Sequence, residues 1–229
     1  APQWRLHAGL RASQVRFASQ DRYVVGVNGD DSGRVDYRAT TPSAGITWRP
    51  TTQTSVYASA GRGFETPTLN ELAYRPGGVA GLNFGLEPAH SNNFELGAKL
   101  VALPGWRVAG ALFRVNTQDE IVVRSNVQGR SAFGNAGTTR RQGAELALDW
   151  EPAPALGLSL AATALDARFT APFLTCGPPP CALPDVTVAA GNRLPGVPAY
   201  TAFAQLRWSP GVADWRIEWR AQSAMYVDD

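Results

Sequence analysis

Charge is scarce in this sequence and lysine is nearly missing. Charged residues are 17% of the 229, against about 25% in ordinary soluble domains. Lys99 is the one lysine; the other 20 of the 21 basic residues are arginine. Codon bias is the simpler account of that skew, and selection for bidentate anion contacts is the other. The net charge of +2 is too small to draw nucleic acid. Histidine is limited to His7 and His90, far apart in the chain, which removes the basis for a catalytic dyad or a histidine metal site. Long apolar runs are missing too. The longest uncharged run, Phe169 to Pro184, carries five prolines and cannot cross a membrane as a helix. The opening "APQWRLHAGL" lacks the basic and then apolar regions of a signal peptide. None of this excludes a membrane, because closed sheets of strands also span.

Cysteine is limited to Cys176 and Cys181 in "CGPPPC". Two thiols with no nearby histidine are too few for a metal site. A disulfide closing a small Pro-rich loop fits better and implies an oxidising compartment. Two short motifs also fall away. "DDSG" at 30–33 lacks the ordered ligands and terminal Glu of a calcium loop and reads as a polar turn. "GRGFE" lacks the Gly-Lys-Ser/Thr ending of a phosphate loop.

What the chain has is alternation. "WRLHAGLRAS" puts Trp4, Leu6, Ala8, Leu10 and Ala12 on one face and Arg5, His7, Gly9, Arg11 and Ser13 on the other. "SAGITWR", "NFELGAKL", "GAELALDW" and "WRIEWRAQ" repeat the pattern. Period two with one apolar and one polar face predicts strands. No helical segment of useful length is present. Nine long strands are expected at 3–17, 37–49, 53–62, 91–103, 106–118, 136–151, 155–169, 198–209 and 213–227. The connections alternate short and long. Short turns lie at 49–53, 103–106, 151–155 and 209–214, and long segments at about 18–36, 62–90, 117–137 and 170–197. An up-and-down antiparallel sheet then has short turns at one end and long loops at the other, as transmembrane β-barrels do. Trp48, Trp106, Trp150, Trp208 and Trp215 cluster near the short turns, where an interfacial girdle belongs. The fold class is all-β, and the chain reads as part of a large transmembrane barrel. Bacterial single-chain barrels have even strand numbers, and nine is odd.

The stretch "GRGFETPTLNEL", 61–72, ends a strand in an unusual knot. Its glycines permit backbone conformations that other residues resist. Pro67 fixes φ and holds Thr66 extended, and Thr68 or Asn70 can cap a short turn through Glu71 and Leu72. The chain is expected to leave the wall here, cross the mouth, and return through Leu86, Glu87 and Pro88.

"YASAGRGFETPTLNEL", "LNFGLEPAHSNNFELGAK", "GTTRRQGAELALDW" and "RLPGVPAY" follow one another at barrel spacing. Over roughly Ser43 to Asp229 the chain resembles the C-terminal barrel region of TonB-dependent outer-membrane receptors, particularly ferric-siderophore receptors. The resemblance implies a barrel of about 22 strands with a plugged lumen, in the bacterial outer membrane, with its long loops at the cell surface. It implies a partial barrel region over 1–229, with the plug domain, TonB box and final strands absent. Partners would be a ferric siderophore, the outer-membrane lipid, and the TonB-ExbB-ExbD energy-coupling system through the absent N-terminal parts. No cofactor is implied.

Ferric siderophores are bulky, often anionic and often aromatic, so Arg with Tyr, Trp or Phe at the mouth would suit them. Loop candidates are Arg22, Tyr23, Tyr74, Arg75, Phe84, Arg124, Arg130 and Phe133. Charges expected to face the lumen are Arg11, Arg49, Glu95, Lys99, Glu145, Arg216, Glu218 and Arg220. Receptors of this family for haem, cobalamin, copper or an oligosaccharide would share the wall pattern. A soluble all-β binding or adhesion module would instead bury its Trp residues in a sandwich core. A barrel enzyme would need a Ser or Asp partner for His7, and none is evident.

Overall fold

The alternating segments form strands that pair in chain order. A computed structural model describes residues 3–26, 29–75, 81–101, 104–127, 130–177, 181 and 183–226. The strands are β1 (Trp4–Ser19), β2 (Gly33–Trp48), β3 (Thr54–Glu65), β4 (Ala89–Leu100), β5 (Trp106–Gln118), β6 (Ile121–Val127), β7 (Arg130–Asn135), β8 (Thr138–Ala153), β9 (Leu156–Phe169), β10 (Phe173–Thr175), β11 (Val186–Val188), β12 (Tyr200–Trp208) and β13 (Trp215–Gln222). Nine of them form one open sheet in the order β1-β2-β3-β4-β5-β8-β9-β12-β13. Every neighbouring pair in it is antiparallel. No α-helix occurs among the described residues.

Two expected loops carry structure of their own. The segment at 117–137 folds as the hairpin β6–β7, and that at 170–197 contains the small hairpin β10–β11. Their strands are too short and irregular for a period-two signal. β2 also starts at Gly33, four residues before the expected start at 37. There the alternation inverts, with Val35 and Tyr37 on the polar face and Asp36 and Arg38 on the apolar one.

Register assigns the faces. One cross-strand row reads Trp4, Trp48, Val56, Ala98, Gly110, Leu146, Ala162, Ala202 and Ala221. Adjacent rows on that face hold Leu6 with Ile46, Leu96 with Leu112, and Leu148 with Leu160. The pairs Trp4–Trp48, Trp106–Trp150 and Trp208–Trp215 lie across from one another at the short-turn end. In the first two the ring centroids are 5.7 and 5.1 Å apart. Among the described residues no second sheet covers these side chains: Trp4, Leu6, Leu96, Leu146, Trp215 and Trp219 are all more than half exposed. A sandwich would bury them, so the soluble alternative fails on this face. An apolar face of this extent, edged by tryptophan, matches the lipid-facing band of a barrel wall.

The short turns are tight. Gly105 has φ of 81° and stands so close to the Glu151 carbonyl that a Cβ has no room. Glu151 N–H donates to the Gly105 carbonyl at 2.8 Å. Gly61 and Gly63, by contrast, are ordinary strand residues with no positive φ. The explanation of the knot by backbone freedom is therefore corrected. At Gly63 the Ser91 hydroxyl, from the residue opposite on β4, fills the space where a Cβ would stand.

The face assignment predicts an asymmetry between neighbours. In a full-length barrel that contains this chain, Leu146→Arg should cost about 2–4 kcal/mol, because Leu146 lies mid-band on the apolar face. Ala147→Arg, on the opposite face, should cost under about 1 kcal/mol. Urea unfolding in detergent-lipid vesicles reads both. Equal losses would mean that the faces are assigned wrongly.

Candidate ligand-binding mouth

The buried side chains gather at the long-connection end, on the polar side of the sheet. Ala136, Ala167, Phe169, Phe173, Val188 and Leu194 form one cluster, with Val122, Leu165 and Val197 against it. Leu165, Ala167 and Phe169 alternate with Asp166 and Arg168 along β9, so they project from the polar face. The hairpin β10–β11 therefore folds over that face rather than away from it.

Polar anchors tie the connections together. Tyr37 Oη donates to the Leu86 carbonyl at 2.8 Å, holding the segment 66–88 against β2. Asn83 Nδ2 donates to the Phe133 carbonyl at 2.9 Å. Asn135 accepts from Glu87 N–H at 2.9 Å and donates to the carbonyls of Glu87 and Asp119 at 2.9 and 2.8 Å. One amide thus joins two connections. Arg124 Nη1 donates to the Leu174 carbonyl at 2.7 Å, and Thr175 Oγ1 donates to the Val123 carbonyl at 3.1 Å, linking β6 to β10. Cys176 and Cys181 are joined by a disulfide, and Cys181 also bridges Asn126 of β6. Three connections become one layer over the mouth.

The knot is a capping box. Thr68 N–H and Oγ1 both donate to Glu71 Oε2, at 2.6 and 2.9 Å, and Glu71 N–H reaches back to Thr68 Oγ1 at 3.4 Å. Pro67 and Leu72 are fully buried beneath it. Of the two candidate caps, Thr68 is the one that serves.

The eight loop candidates separate by what they touch. Tyr74 and Arg130 come together across two connections, with the guanidinium carbon 5.4 Å from the ring centroid. Arg75 Nε donates to the Leu82 carbonyl at 3.0 Å, and Arg124 is spent on Leu174, so both brace their loops. Phe84 packs over Gly33 at the start of β2, and Phe133 gives its carbonyl to Asn83. Arg22 and Tyr23 lie exposed in the first connection, and Tyr23 N–H donates to Asp21 Oδ1 at 2.8 Å. The "DDSG" turn lies beside them: Asp30 accepts from Ser32 N–H at 2.8 Å.

The eight charges expected in the lumen share the face opposite the tryptophans. Glu95 accepts from Tyr57 Oη at 2.6 Å, and Lys99 Nζ lies 5.9 Å from the centroid of the same ring. Glu218 accepts from Gln205 at 2.9 Å and pairs with Arg220 at 3.2 Å. Arg11 stands across from Thr41, Glu145 across from Ala111, and Arg216 across from Arg207. Arg49 follows the end of β2, its N–H donating to the Gln3 carbonyl at 2.7 Å. Arg107 belongs to this set although its sequence context did not single it out. It pairs with Glu151 at 3.2 Å and Asp149 at 3.9 Å. Its odd position on β5, opposite Asp149, was the available signal.

Among the described residues, no three His, Cys, Asp or Glu side chains converge as metal ligands. Glu120 and Arg141 form the most enclosed ion pair, at 2.7 Å, each under a third exposed. Thr139 Oγ1 donates to Glu120 at 2.8 Å. Burial pushes the Glu120 carboxyl up. The Arg141 hydrogen bond and charge, with the Thr139 hydroxyl, more than offset it, and the carboxyl ends below its ordinary 4.5. A carboxyl depressed by folding contributes stability above its unfolded value, and that contribution is lost as pH falls through the folded one. Docking of β6–β7 should therefore weaken below about pH 4.5. Glu120→Gln should loosen the hairpin by about 1–3 kcal/mol at neutral pH and flatten that part of the pH response. Hydrogen exchange of the hairpin amides is the measurement, and an unchanged pH profile in the variant would remove Glu120 from the account.

The whole chain, residues 1–229, matches the family model for the TonB dependent receptor-like β-barrel. The siderophore receptor PiuA of Acinetobacter baumannii is 27% identical over 217 residues, 88% of this chain and 26% of that protein. Its crystal structure superposes with a TM-score of 0.64 at 21% identity, over 92% of this chain and 29% of that one. The metal-pseudopaline receptor CntO of Pseudomonas aeruginosa is 24% identical over 220 residues, 94% of this chain and 27% of that protein. The copper transporter OprC superposes with a TM-score of 0.73 at 15% identity, over 97% of this chain and 32% of that one. These relatives are named as receptors and a transporter, not as enzymes. The chain spans about a quarter of the length of the curated relatives it matches. A wall of nine antiparallel strands with one tryptophan-edged apolar face, matched from end to end by the family model, belongs to the TonB-dependent receptor-like β-barrel family.

Proposed function

We propose that this chain is wall and mouth of an energy-coupled outer-membrane receptor that binds and imports a ferric siderophore. The observation that carries the reading is the 27% identity to a siderophore receptor across 88% of the chain. The local chemistry supports it. Tyr74 and Arg130 offer a ring and a guanidinium side by side, at the end of the sheet where three connections meet. A ferric complex with aromatic chelating groups and net negative charge suits such a pair. The polar face would line the lumen and meet a plug contributed by residues outside this chain, through which TonB-ExbB-ExbD would act. In this reading the long connections face the cell exterior and the short turns the periplasm.

Uptake of another metal chelate is the second reading. It is supported by the 24% identity to the metal-pseudopaline receptor. The two readings separate in one titration of the full receptor with chelates of Fe(III), Cu(II) and Zn(II), followed by tryptophan fluorescence. Under the proposal a ferric catecholate or hydroxamate binds tightest. Tighter binding of a copper or zinc chelate would favour the second reading, and failure to bind any chelate would remove both. Tyr74→Ala and Arg130→Ala should each weaken binding by about tenfold, an effect of about 1–2 kcal/mol for a desolvated cation–ring contact. Ferric-chelate affinities unchanged in both variants would place the binding site elsewhere in the mouth.

A further inference from the structure

The apolar face ends in a row of basic and amide side chains. Arg62, Asn92, Asn116, Arg140, Arg168 and Arg193 stand across from one another through six consecutive segments. All lie on the lipid side. Arg140 ends the series Trp150, Leu148, Leu146, Ala144 and Gln142 at steps of two along β8, and Arg168 ends the series Leu158, Leu160, Ala162, Ala164 and Asp166 along β9. Arg193 lies opposite Arg168, while its neighbour Leu194 enters the loop core on the other face.

Three arginines in adjacent register are an unfavourable arrangement by themselves, because like charges directly across strands repel. Internal compensation is thin. Among the described residues of this row and its two flanking rows, the carboxylate is Asp166, and Arg168 already engages it at 2.6 Å. Arg168 also donates to the Gly191 carbonyl at 2.7 Å. The guanidinium groups of Arg62 and Arg193 have no hydrogen-bond or ion-pair partner among the described residues, and Nε of Arg140 is buried without one. Neighbouring guanidinium groups with so little compensation favour an anionic partner from outside the chain.

The height of the row says where that partner comes from. Trp150 and Arg140 are ten residues apart on β8. At ~3.4 Å per residue and a tilt of ~40° they differ in depth by about 25 Å, the height of the apolar band of an outer-membrane barrel. The tryptophans mark one interface, and Arg140, with Arg168 and Arg193 beside it, lies at the other, in the headgroup layer. We propose that this row binds the phosphate groups of anionic lipid headgroups in the leaflet at the long-connection rim. A phosphate presents several oxygens and can bridge neighbouring guanidinium groups by paired hydrogen bonds, which a zwitterionic headgroup does less well. Arg114, one row closer to the band, donates from Nε to Asn116 Oδ1 at 3.1 Å and extends the site toward the acyl chains.

The inference rests on the membrane-wall reading, and the test separates the two. The full receptor is reconstituted into vesicles of equimolar phosphatidylglycerol and phosphatidylcholine, and the lipids it retains are counted by native mass spectrometry. The receptor should retain phosphatidylglycerol preferentially, with the preference falling as salt rises. At roughly fivefold per basic residue near an anionic surface, Arg140→Gln, Arg168→Gln and Arg193→Gln together should reduce that preference on the order of 100-fold. Arg207→Gln with Arg216→Gln, on the other face, should leave it in place. Retention of the two lipids in the supplied ratio by the unaltered receptor overturns the proposal without recourse to any variant. Preference that survives the triple substitution, or that millimolar inorganic phosphate abolishes, also overturns it, since the latter would mark a free-phosphate site. A receptor that inserts into neither lipid overturns the membrane wall itself.

Discussion

Register is the constraint on which the rest depends. A wall in lipid has no water to satisfy its backbone, so each strand must pair along its length with its neighbours. Side chains alternate with period two, so pairing fixes the face of every residue at once. A slip of one residue in β8 would move Glu145, Ala147 and Asp149 to the tryptophan side and carry Leu146 and Leu148 into the polar one. The cross-strand pairs Trp4–Trp48, Trp106–Trp150 and Trp208–Trp215 oppose such a slip at the short-turn end. At the other end the Glu120–Arg141 pair and the Thr139 hydroxyl hold β8 in place relative to the hairpin beside it.

The amphipathic pattern inverts partway along the strands, and the inversion explains where the core lies. Below it, apolar side chains point to lipid and the polar face carries Lys99, Glu145 and Asp149. Above it, the outer face carries Arg16, Asp36, Arg114 and Arg140, while Tyr37, Ala167 and Phe169 are buried on the inner side. Lipid serves as the apolar partner in one zone and the folded connections serve in the other. The chain therefore has little core within the sheet and a compact one at the mouth. Asn83, Asn135 and Arg124 stiffen that core by hydrogen bonds to carbonyls of neighbouring connections.

The wall was legible in the sequence and the mouth was not. Eight to sixteen residues of alternation repeat the same instruction several times, so the nine sheet strands and their faces follow from pattern alone. The short hairpins β6–β7 and β10–β11 offer too few repeats. The early start of β2 was hidden because its alternation changes sign at the lipid boundary, where a reader following one apolar face loses it. Thr68 and Glu71, three apart, carried the capping signal openly. Asn83 and Asn135 carried none, because a single loop amide has no periodic context and its role depends on which carbonyls the fold brings near. Of the loop arginines and aromatics, composition could select the types but could not distinguish Arg130, beside Tyr74, from Arg124, committed to Leu174.

Arginine's dominance over lysine makes physical sense position by position, whatever the codon usage that supplied it. Arg124 and Arg75 brace loops by directing planar donors at carbonyls. Arg141 divides its donors between Glu120 and Thr139 in a site too enclosed for a strongly hydrated ammonium. Arg130 lies over a tyrosine ring, a contact that a weakly hydrated, delocalised cation makes at less desolvation cost than an ammonium. On the polar face the demand is weaker, because a lumen charge can remain partly hydrated. Lys99 lies there, exposed, above the Tyr57 ring. The one lysine thus occupies an exposed place where a point charge serves, and the bracing and enclosed positions are filled by the side chain whose fork geometry suits them.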